Sequence, residues 1–446
     1  MLIYCLAEFL QQFKYFRIML EKRKKNLKYI LVFLSIFSYF LLFYFKDYSI
    51  AGAQVDFRSF YFNNIQFFKE DFYNSIVNYG LLGDANYPLD YIFHAFLNPF
   101  SFDKDLYLLS TLFIGFFVFI IFAISLEKIN FSKIDSYSIG SLILLLPWFS
   151  GRAYWGTSAV LGIFFLTISF YFFIKIKNSH NDAKTLDLIL LCIFSSAALY
   201  TRNSFVFFPI FIIFFLFLNQ FNFKKIFLVL INYFILAIQG LLLIFIWGGF
   251  YDSKNMDIYE MHNFRNILKN FPIILNYIFF YLWPIFLLEE KRFNLKKFLI
   301  KHQFSFLISI ITLLILSLLG HMNYLSDMVN GGGVILEFGS YIGDKLNLIF
   351  LITSSIGFSF LYYFLKQNFQ NNIILFLPIF LIFGHPKVLY QDYFEPLIFI
   401  MFFLGIICNK FDKIIYKNFI YIYVIYFVYF VIYNYSAIIY KNSIIS

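Results

Sequence analysis

One carboxylate and three arginines stand next to long apolar segments of this sequence. Asp56 and Arg58 lie in the string VDFRSFYF, Arg152 in WFSGRAYWG and Arg202 in LYTRNSF. A positioned carboxylate can take a proton from a hydroxyl group, which is worth about 10² to 10⁴-fold in rate. The arginine fork binds two phosphate oxygens at once and does not deprotonate. We therefore expect group transfer from a phosphate to a hydroxyl, with Asp56 as the base and the arginines as phosphate ligands.

Three further strings concentrate polar and aromatic residues beside apolar segments. They are DYIFHAFLNPF, WGGFYDSKNMDIYEMHNF and GHPKVLYQDYFEP. The last string would lie at the depth of a lipid headgroup, so its Lys387 is a further candidate phosphate ligand. One histidine among scattered carboxylates lacks the spacing of a zinc site, so we predict no metal and no cofactor, with a divalent metal ion left as the open alternative. The residues predicted to line a sugar or acceptor pocket are Asp252, His262, His94, Asp392 and Tyr393.

Each of these groups also has a structural interpretation. Asp56 precedes an apolar helical pattern and could be a helix N-cap, a role that can coexist with catalysis. Arg202 could extend its charged end to the membrane interface. The string at Trp247–Phe264 could be a solvated acidic loop, and the string at Gly384–Pro396 an interfacial belt of Tyr and Lys.

Composition places the chain in a bilayer. Hydrophobic residues make up 61% and charged residues 13%, whereas soluble domains carry about 25% charged residues. Segments long enough to cross about 30 Å of hydrocarbon recur along its length. We predict an all-α, polytopic membrane protein of about 13 spans. The spans are residues 29–45, 106–125, 137–148, 158–174, 186–200, 205–218, 226–247, 274–288, 304–319, 346–365, 373–384, 397–408 and 419–433.

Lys and Arg predict the orientation, because they accumulate in cytoplasmic loops. If Glu21–Lys28 (EKRKKNLK) is inside, the alternate loops that follow, such as EKINFSK and EEKRFNLKKFLIK, also fall inside. Most basic residues then lie inside, so the net charge of +10 reflects topology and does not indicate nucleic acid as a partner. Residues 1–28 read as a cytoplasmic amphipathic and basic N-terminus without a cleavable signal, and 29–446 as a single membrane domain.

High usage of Phe, Ile, Lys, Asn and Tyr is typical of an AT-rich bacterial genome. We therefore expect a bacterial inner membrane with the polar outer loops in the periplasm. The first outer loop, residues 47–105, is too long for a simple connection. Its segment Phe57–Phe72 has helical apolar spacing, a turn signal follows at GLLGDANYP, and DYIFHAFLNPF is again amphipathic. These patterns predict two interfacial helices over the bundle.

The order of three motifs resembles the GT-C class of polyprenyl-phosphate-sugar-dependent glycosyltransferases. Within this class the chain is most similar to the alpha-1,2-glucosyltransferase family of dolichol-linked oligosaccharide assembly and its bacterial relatives. The similar stretches are TRNSFVFFP, the long segment from WGGFYDSKNMD through its histidine to FFYLWP, and PKVLYQDYFEP. The resemblance implies inversion at the anomeric carbon and a lipid-phosphate sugar donor bound at the outer membrane face. It also implies a glycan or lipid-linked acceptor whose hydroxyl is activated by Asp56.

The chain departs from that family at two places. The family has an acidic pair in its first loop, whereas Phe57 and Arg58 follow Asp56 here. Its late Arg-Tyr meets Asp392 and Tyr393. Two other functions stay open: an O-antigen-type polymerase or ligase, and a transporter of polyprenyl-linked glycans. The long first loop favours the glycosyltransferase, and the absence of paired half-sequences disfavours a transporter.

Overall fold

The regular elements of this protein are helices, as the sequence predicts. The computed structural model describes residues 25–46, 51–82, 84, 86–249, 265–287, 300, 303–318, 335, 338, 348–386, 389, 391, 394–407 and 419–434, and the structural statements below concern those residues. In chain order the helices are α1 Lys25–Phe45, α2 Ala51–Asp56, α3 Phe62–Glu70, α4 Phe72–Val77, α5 Leu89–Phe96, α6 Lys104–Glu127, α7 Lys133–Ser141, α8 Pro147–Trp155, α9 Ser158–Ser179, α10 Thr185–Thr201, α11 Phe207–Leu218, α12 Phe223–Trp247, α13 Arg265–Leu287, α14 Gln303–Leu318, α15 Leu348–Gln367, α16 Phe369–Gly384, α17 Leu397–Phe403 and α18 Phe419–Asn434.

Five of these helices, α1, α6, α9, α12 and α15, are long and apolar enough to cross a membrane. A helix satisfies its backbone hydrogen bonds internally, which is why apolar segments of this length form helices in lipid. Helix α6 shows how such a segment begins. The Asp103 carboxylate accepts hydrogen bonds from the backbone N–H groups of Asp105 and Leu106, both at 2.9 Å, and an apolar run follows. The coarse architecture is therefore a helical membrane protein.

Two predicted spans, 137–148 and 397–408, are not continuous helices. In the first, the nine-residue α7 ends at Ser141 and a 3-10 turn follows at Leu142–Leu145, and the second contains the seven-residue α17. A crossing helix needs about 20 residues, so neither crosses alone. The chain breaks at Leu146, whose extended backbone (φ −86°, ψ 112°) is the conformation favoured before a proline. Helix α8 then continues the path, so α7 and α8 form one broken helix.

Hydrogen bonds connect the loops that are predicted to be cytoplasmic, so these loops lie together at one end of the bundle. Lys28 hydrogen bonds to Asp135, and the amide of Asn178 donates to the carbonyl of Lys128 at 2.9 Å. The Lys177 ammonium donates to the carbonyl of Gly405 at 3.1 Å, which joins the end of α9 to the segment that follows α17. The assignment of this end to the cytoplasm rests on its Lys and Arg residues.

The first outer loop covers the opposite end with helices, as expected, but in more pieces than the two predicted. Helix α2 continues through a π-helical turn at Phe57–Tyr61 into α3. Asp71 interrupts the path and caps α4, since its carboxylate accepts the N–H of Asn74 at 2.9 Å. The indole N–H of Trp247 donates to the carbonyl of Ile76 at 2.8 Å, which fastens the loop to the end of α12.

Gly357 marks a close crossing between α15 and α13. A Cβ atom added there would lie 1.9 Å from the carbonyl oxygen of Leu275 on α13, a backbone atom that cannot rotate away. We expect Gly357→Ala to lower stability by about 3 kcal/mol, the upper part of the range for overpacking. The midpoint of thermal unfolding in detergent, followed by tryptophan fluorescence, measures the effect.

Ser355→Ala on the same helix is the matched control for this substitution. The Ser355 hydroxyl is buried and donates to the carbonyl of Leu351 within its own helix. Its removal adds no volume at the crossing with α13, so its midpoint should stay close to that of the wild type. Equal midpoints for Gly357→Ala and Ser355→Ala would contradict the close crossing.

Candidate functional site

Asp56 and Arg152 form a contact between the first outer loop and the broken helix. Nη1 of Arg152 lies 3.4 Å from Oδ2 of Asp56 and 3.4 Å from the hydroxyl oxygen of Thr157. The Arg152 side chain is 14% exposed, whereas that of Asp56 is 41% exposed. Two residues predicted from separate strings, 96 positions apart in the chain, thus meet. The Asp56 carboxylate is still partly accessible to solvent.

Arg58 brings a second guanidinium to the same place. Its central carbon lies 5.9 Å from the centre of the Trp155 ring, in cation–π contact, and the side chain is exposed. Trp155 ends the helix that carries Arg152. We call Asp56, Arg58, Arg152, Trp155 and Thr157 the Asp56–Arg152 patch. Two guanidinium groups and one carboxylate give it one net positive charge, which favours an anionic ligand.

The N-cap interpretation of Asp56 is wrong. Asp56 has helical backbone angles (φ −55°, ψ −48°), and its side chain makes no capping hydrogen bond. The helix begins earlier, at Ala51, because the apolar pattern extends back beyond Phe57. Asp56 stands instead where α2 meets the π-helical turn. Such turns are frequent at functional sites because they redirect side chains locally.

The end of α8 that lies near the patch is fixed by a glycine and a tyrosine. Gly156 has φ +60°, the left-handed conformation that glycine adopts without strain, and it ends the helix. The Tyr107 hydroxyl donates to its carbonyl oxygen. A Cβ atom at position 156 would lie 2.7 Å from both Thr111 and Tyr107, so no larger residue fits. This end of α8 is therefore held against α6.

Buried aromatic rings pack around Trp155 of the patch. The Phe57 ring stacks on Tyr107 with ring centres 5.8 Å apart and lies 5.7 Å from Trp155. All three side chains are buried. Because Phe57 is the neighbour of Asp56, this packing fixes the backbone that carries the carboxylate. A rigid aromatic base keeps a site of this kind in one geometry.

The His94 ring packs edge-on against Tyr107, with ring centres 5.0 Å apart, and is only 2% exposed. Asn98 orients it. The side-chain oxygen Oδ1 of Asn98 accepts the backbone N–H of Phe100. The side-chain NH₂ group of Asn98 therefore faces Nδ1 of His94 at 3.1 Å. Nδ1 must then be an acceptor, and the imidazole is neutral with its proton on Nε2. Burial lowers the pKa of His94 from 6.5 to about 3, in agreement with the neutral form.

Asp90 faces this imidazole and is the neighbouring buried acid. Its Oδ1 lies 4.0 Å from Nε2 of His94, and neither carboxyl oxygen has a hydrogen-bond partner. An ionised carboxylate without partners is very costly inside a protein, so the group is held neutral. Burial accordingly raises the pKa of Asp90 well above its ordinary 3.8.

Asp90 should make the protein less stable as the pH rises. Its pKa is higher in the folded than in the unfolded state, so its contribution is complete below pH 3.8 and is lost as the pH rises toward the folded-state pKa. The loss approaches about 1.4 kcal/mol per pH unit. Asp90→Asn cannot ionise, so its free energy of unfolding should fall less between pH 4 and pH 8. Unfolding curves at several pH values measure this difference.

Asp105→Asn is the control, since Asp105 is an exposed carboxylate of the same loop. Its pH profile should follow that of the wild type. The neutral form of His94 stabilises the fold above pH 6.5, and that contribution is lost as the pH falls toward 3. A profile of Asp90→Asn parallel to the wild type would show that Asp90 is ionised in the folded state.

The segment around Arg202 meets the same loop at another point. Arg202 ends α10 and is 8% exposed. Its neighbour Asn203 accepts the backbone N–H of Tyr87 at 3.1 Å. The Tyr87 ring packs against Tyr200 and stacks on Trp247, with ring centres 5.5 and 5.9 Å apart. The first loop thus joins the Arg202 segment through Tyr87, whereas it joins Arg152 through Asp56.

Five of the predicted site residues lie outside the described residues. They are Lys387, Asp252, His262, Asp392 and Tyr393. Two described asparagines of α13 contact the backbone near the first of them. The Asn266 amide donates to the carbonyl of His385 at 3.1 Å, and the Asn270 amide to that of Gly384 at 2.9 Å. The start of α13 and the end of α16 therefore lie side by side.

Glu395 is a further polar residue of the interior and is 1% exposed. Oε1 of Glu395 accepts the backbone N–H of Phe149 at 3.1 Å, and Oε2 accepts the hydroxyl of Tyr281. Phe149 stands in the first turn of α8, so Glu395 holds the other end of the helix that carries Arg152. A signal did exist in the sequence: a Glu-Pro pair directly before an apolar segment.

Among the residues that the structure describes, no three His, Cys, Asp or Glu side chains group as a metal site. No family model, no curated protein and no solved structure matches this chain.

Proposed function

We propose that this protein is a membrane glycosyltransferase. It moves a hexose from a polyprenyl-phosphate carrier to a hydroxyl of a glycan or lipid-linked acceptor, with inversion at the anomeric carbon. The observation that carries the proposal is the contact of Arg152 with Asp56 at 3.4 Å beside the exposed Arg58. A base and two phosphate ligands, chosen from the sequence for this chemistry, thereby come together at one surface.

In this reaction the acceptor oxygen attacks the anomeric carbon from the face opposite the phosphate. The Asp56 carboxylate takes the proton of the acceptor hydroxyl as the new carbon–oxygen bond forms. The bond from the anomeric carbon to the phosphate oxygen breaks, and its electron pair leaves with polyprenyl phosphate. One displacement of this kind inverts the configuration.

The charge of the Asp56–Arg152 patch suits the leaving group better than the substrate. The donor is a phosphodiester with one negative charge, whereas the departing polyprenyl phosphate is a monoester with up to two. Arg152 and Arg58 meet the charge that develops as the bond breaks, and interactions that strengthen in the transition state accelerate the reaction. Their planar forks also match phosphate oxygens in geometry.

The contact between Arg152 and Asp56 is long for an ion pair with a charge-assisted hydrogen bond, which measures about 2.7 to 2.9 Å. An incoming phosphate can compete for Arg152 and turn the guanidinium away from the carboxylate. Asp56 then becomes available to the acceptor hydroxyl. Donor binding in this scheme prepares the base.

The remaining predicted residues take supporting roles in this proposal. Arg202 and Lys387 bind the donor phosphate, and Asp252, His262, Asp392 and Tyr393 line the pocket for sugar and acceptor. His94 is left out of that pocket because its side chain is only 2% exposed. The carrier tail and the membrane lipids contact the apolar outside of helices such as α12, most of which is exposed. The site faces the periplasm of a bacterial inner membrane, with the N-terminus in the cytoplasm.

An assay of donor consumption tests the proposal. Purified protein in lipid nanodiscs is given a panel of radiolabelled polyprenyl-phosphate hexoses together with glycan and lipid-linked acceptors, and transferred label is separated from intact donor. We expect one donor to be consumed with inversion. The proposal is overturned if every donor stays intact, and movement of intact donor across vesicle membranes would favour a transporter.

A further inference from the structure

Glu395 is a buried carboxylate that the proposed reaction does not use directly. It stands just before α17, and its two oxygens accept from Phe149 of α8 and from Tyr281 of α13. The Gln391 amide in turn donates to the Tyr281 hydroxyl at 2.5 Å. Glu395 thus joins the helix that carries Arg152 to elements from the far end of the chain.

A hydrogen-bonding requirement of α8 explains the position of this carboxylate. The first N–H groups of a helix lack partners within the helix. Position 147 is a proline and has no N–H, so Phe149 presents one of these groups in the first turn. An anion near a helix N-terminus is also favoured by the helix dipole. Glu395 supplies both the acceptor and the charge, and its own burial is offset by these contacts.

Glu395 acts close to Arg152. Phe149 and Arg152 are three residues apart on α8, which is about 4.5 Å along the helix axis. The opposite end of the helix is held by Tyr107 at Gly156. Helix α8 is therefore fixed at both ends, and its position along its own axis decides whether the Arg152 guanidinium reaches Asp56. A shift of about 1 Å from a distant change can cost about 10²-fold in rate.

We propose that Glu395 is a positioning residue of the Asp56–Arg152 patch. It holds α8 at the height at which Arg152 meets Asp56 and the donor phosphate. It does not touch the substrate, and it acts through Arg152. The part of this inference that concerns activity rests on the proposed function, whereas the part that concerns the placement of Arg152 does not.

Cross-linking tests the placement without any substrate. Asp56→Cys and Arg152→Cys are combined in a background without the native cysteines, and the rate of joining by a short bis-thiosulfonate reagent is measured. With Glu395→Ala we expect the cross-linking rate to fall about tenfold, because positions 56 and 152 are no longer held close together. With Glu395→Gln, which keeps an oxygen for the N–H of Phe149, the rate should stay within about twofold.

Asp187→Ala is the matched control for the loss of a paired carboxylate. Asp187 accepts from Lys175 at 2.7 Å on the loop side that also holds Lys28 and Asp135. The Asp187→Ala substitution should lower the midpoint of thermal unfolding without changing the cross-linking rate. An unchanged rate with Glu395→Ala, or the same fall with Asp187→Ala, would overturn the proposal.

A second variant covers the case in which Glu395→Ala does not fold. Tyr281→Phe removes one of the two hydrogen bonds to the carboxylate and leaves the other. We expect a smaller fall in cross-linking in the same direction. A rate equal to the wild type would then stand against a role for Glu395 in placing Arg152.

Activity separates a positioning role from general support of the fold. We expect Glu395→Ala to lower kcat/KM for the donor about 10- to 100-fold, and to cause no further loss in an Arg152→Met background, because the two residues act as one unit. The same factor in both backgrounds would contradict action through Arg152. If the wild type consumes no donor, the proposed function fails, and the cross-linking rates alone decide the role of Glu395.

Discussion

Transfer from a polyprenyl-phosphate hexose is expected to fall by about 10² to 10⁴-fold when Asp56 is replaced by Asn. The substitution keeps the shape of the side chain and its place between α2 and the π-helical turn, but an amide cannot accept the acceptor proton. The affinity for the donor should change little, because the phosphate is held by arginine. Rates of label transfer and a separate measurement of donor binding in nanodiscs show both effects.

Asp103→Asn is the matched control for this substitution. Asp103 is an exposed carboxylate of the same loop that caps α6. Asn caps helices about as well as Asp, so this variant should fold and work like the wild type. Full activity of Asp56→Asn, or an equal loss with Asp103→Asn, would remove Asp56 as the base.

Arg152→Lys should lose about as much activity as Arg152→Met, roughly 10² to 10³-fold. Lysine carries the same charge but is a single point donor, so it cannot bind two phosphate oxygens in one plane. The Arg152 side chain is mostly enclosed between Asp56 and Thr157, which leaves the shorter ammonium group poorly placed. Donor binding and transfer rates of both variants, measured with the assay described above, test this expectation.

Arg58→Lys provides the comparison for Arg152. Arg58 is exposed and holds Trp155 by cation–π contact, which an ammonium can also make. We expect a loss of less than about tenfold for this variant, since a solvated charge contributes less than an enclosed one. If Arg152→Lys kept wild-type rates while Arg58→Lys lost them, Arg58 would be the principal phosphate ligand.

Local sequence identifies three residues of the Asp56–Arg152 patch as candidates, but it does not predict the contacts between them. The types of Asp56, Arg58 and Arg152 and their place beside apolar segments are visible in the sequence. The cost of burying a charge applies to Arg202 as well, so local sequence does not say which arginine meets Asp56. The structure pairs Arg152 with Asp56 because the stretch around it is a helix of the interior and not an open loop. A contact between residues 96 positions apart depends on packing that local patterns do not contain.

The helical class was predictable for a simpler reason. In lipid a backbone must satisfy its own hydrogen bonds, so apolar length alone predicts helices such as α6 and α9. The break at Leu146 has a local signal in Pro147, yet the composition of the segment 137–148 predicts one span because composition does not locate a break. The N-cap prediction for Asp56 is wrong because α2 already begins at Ala51 and carries Asp56 in helical conformation.

Glu395 shows the limit of reading a site from local sequence. Nothing near Phe149 indicates which residue satisfies its N–H group, because the partner lies 246 positions later. The general rule that helix ends need partners does predict that some acceptor exists. Its identity requires the arrangement of α8, α13 and α17.

This distance along the chain has a consequence for biosynthesis. Residues emerge from the ribosome in order, so α8 enters the membrane when α17 and Glu395 have not yet been made. The first turn of α8 must therefore use another acceptor until more than 240 further residues have been synthesised. If Glu395 places Arg152 as proposed, the Asp56–Arg152 patch reaches its final geometry only after the segment around Glu395 has been inserted, and the proposed transfer requires a nearly complete chain.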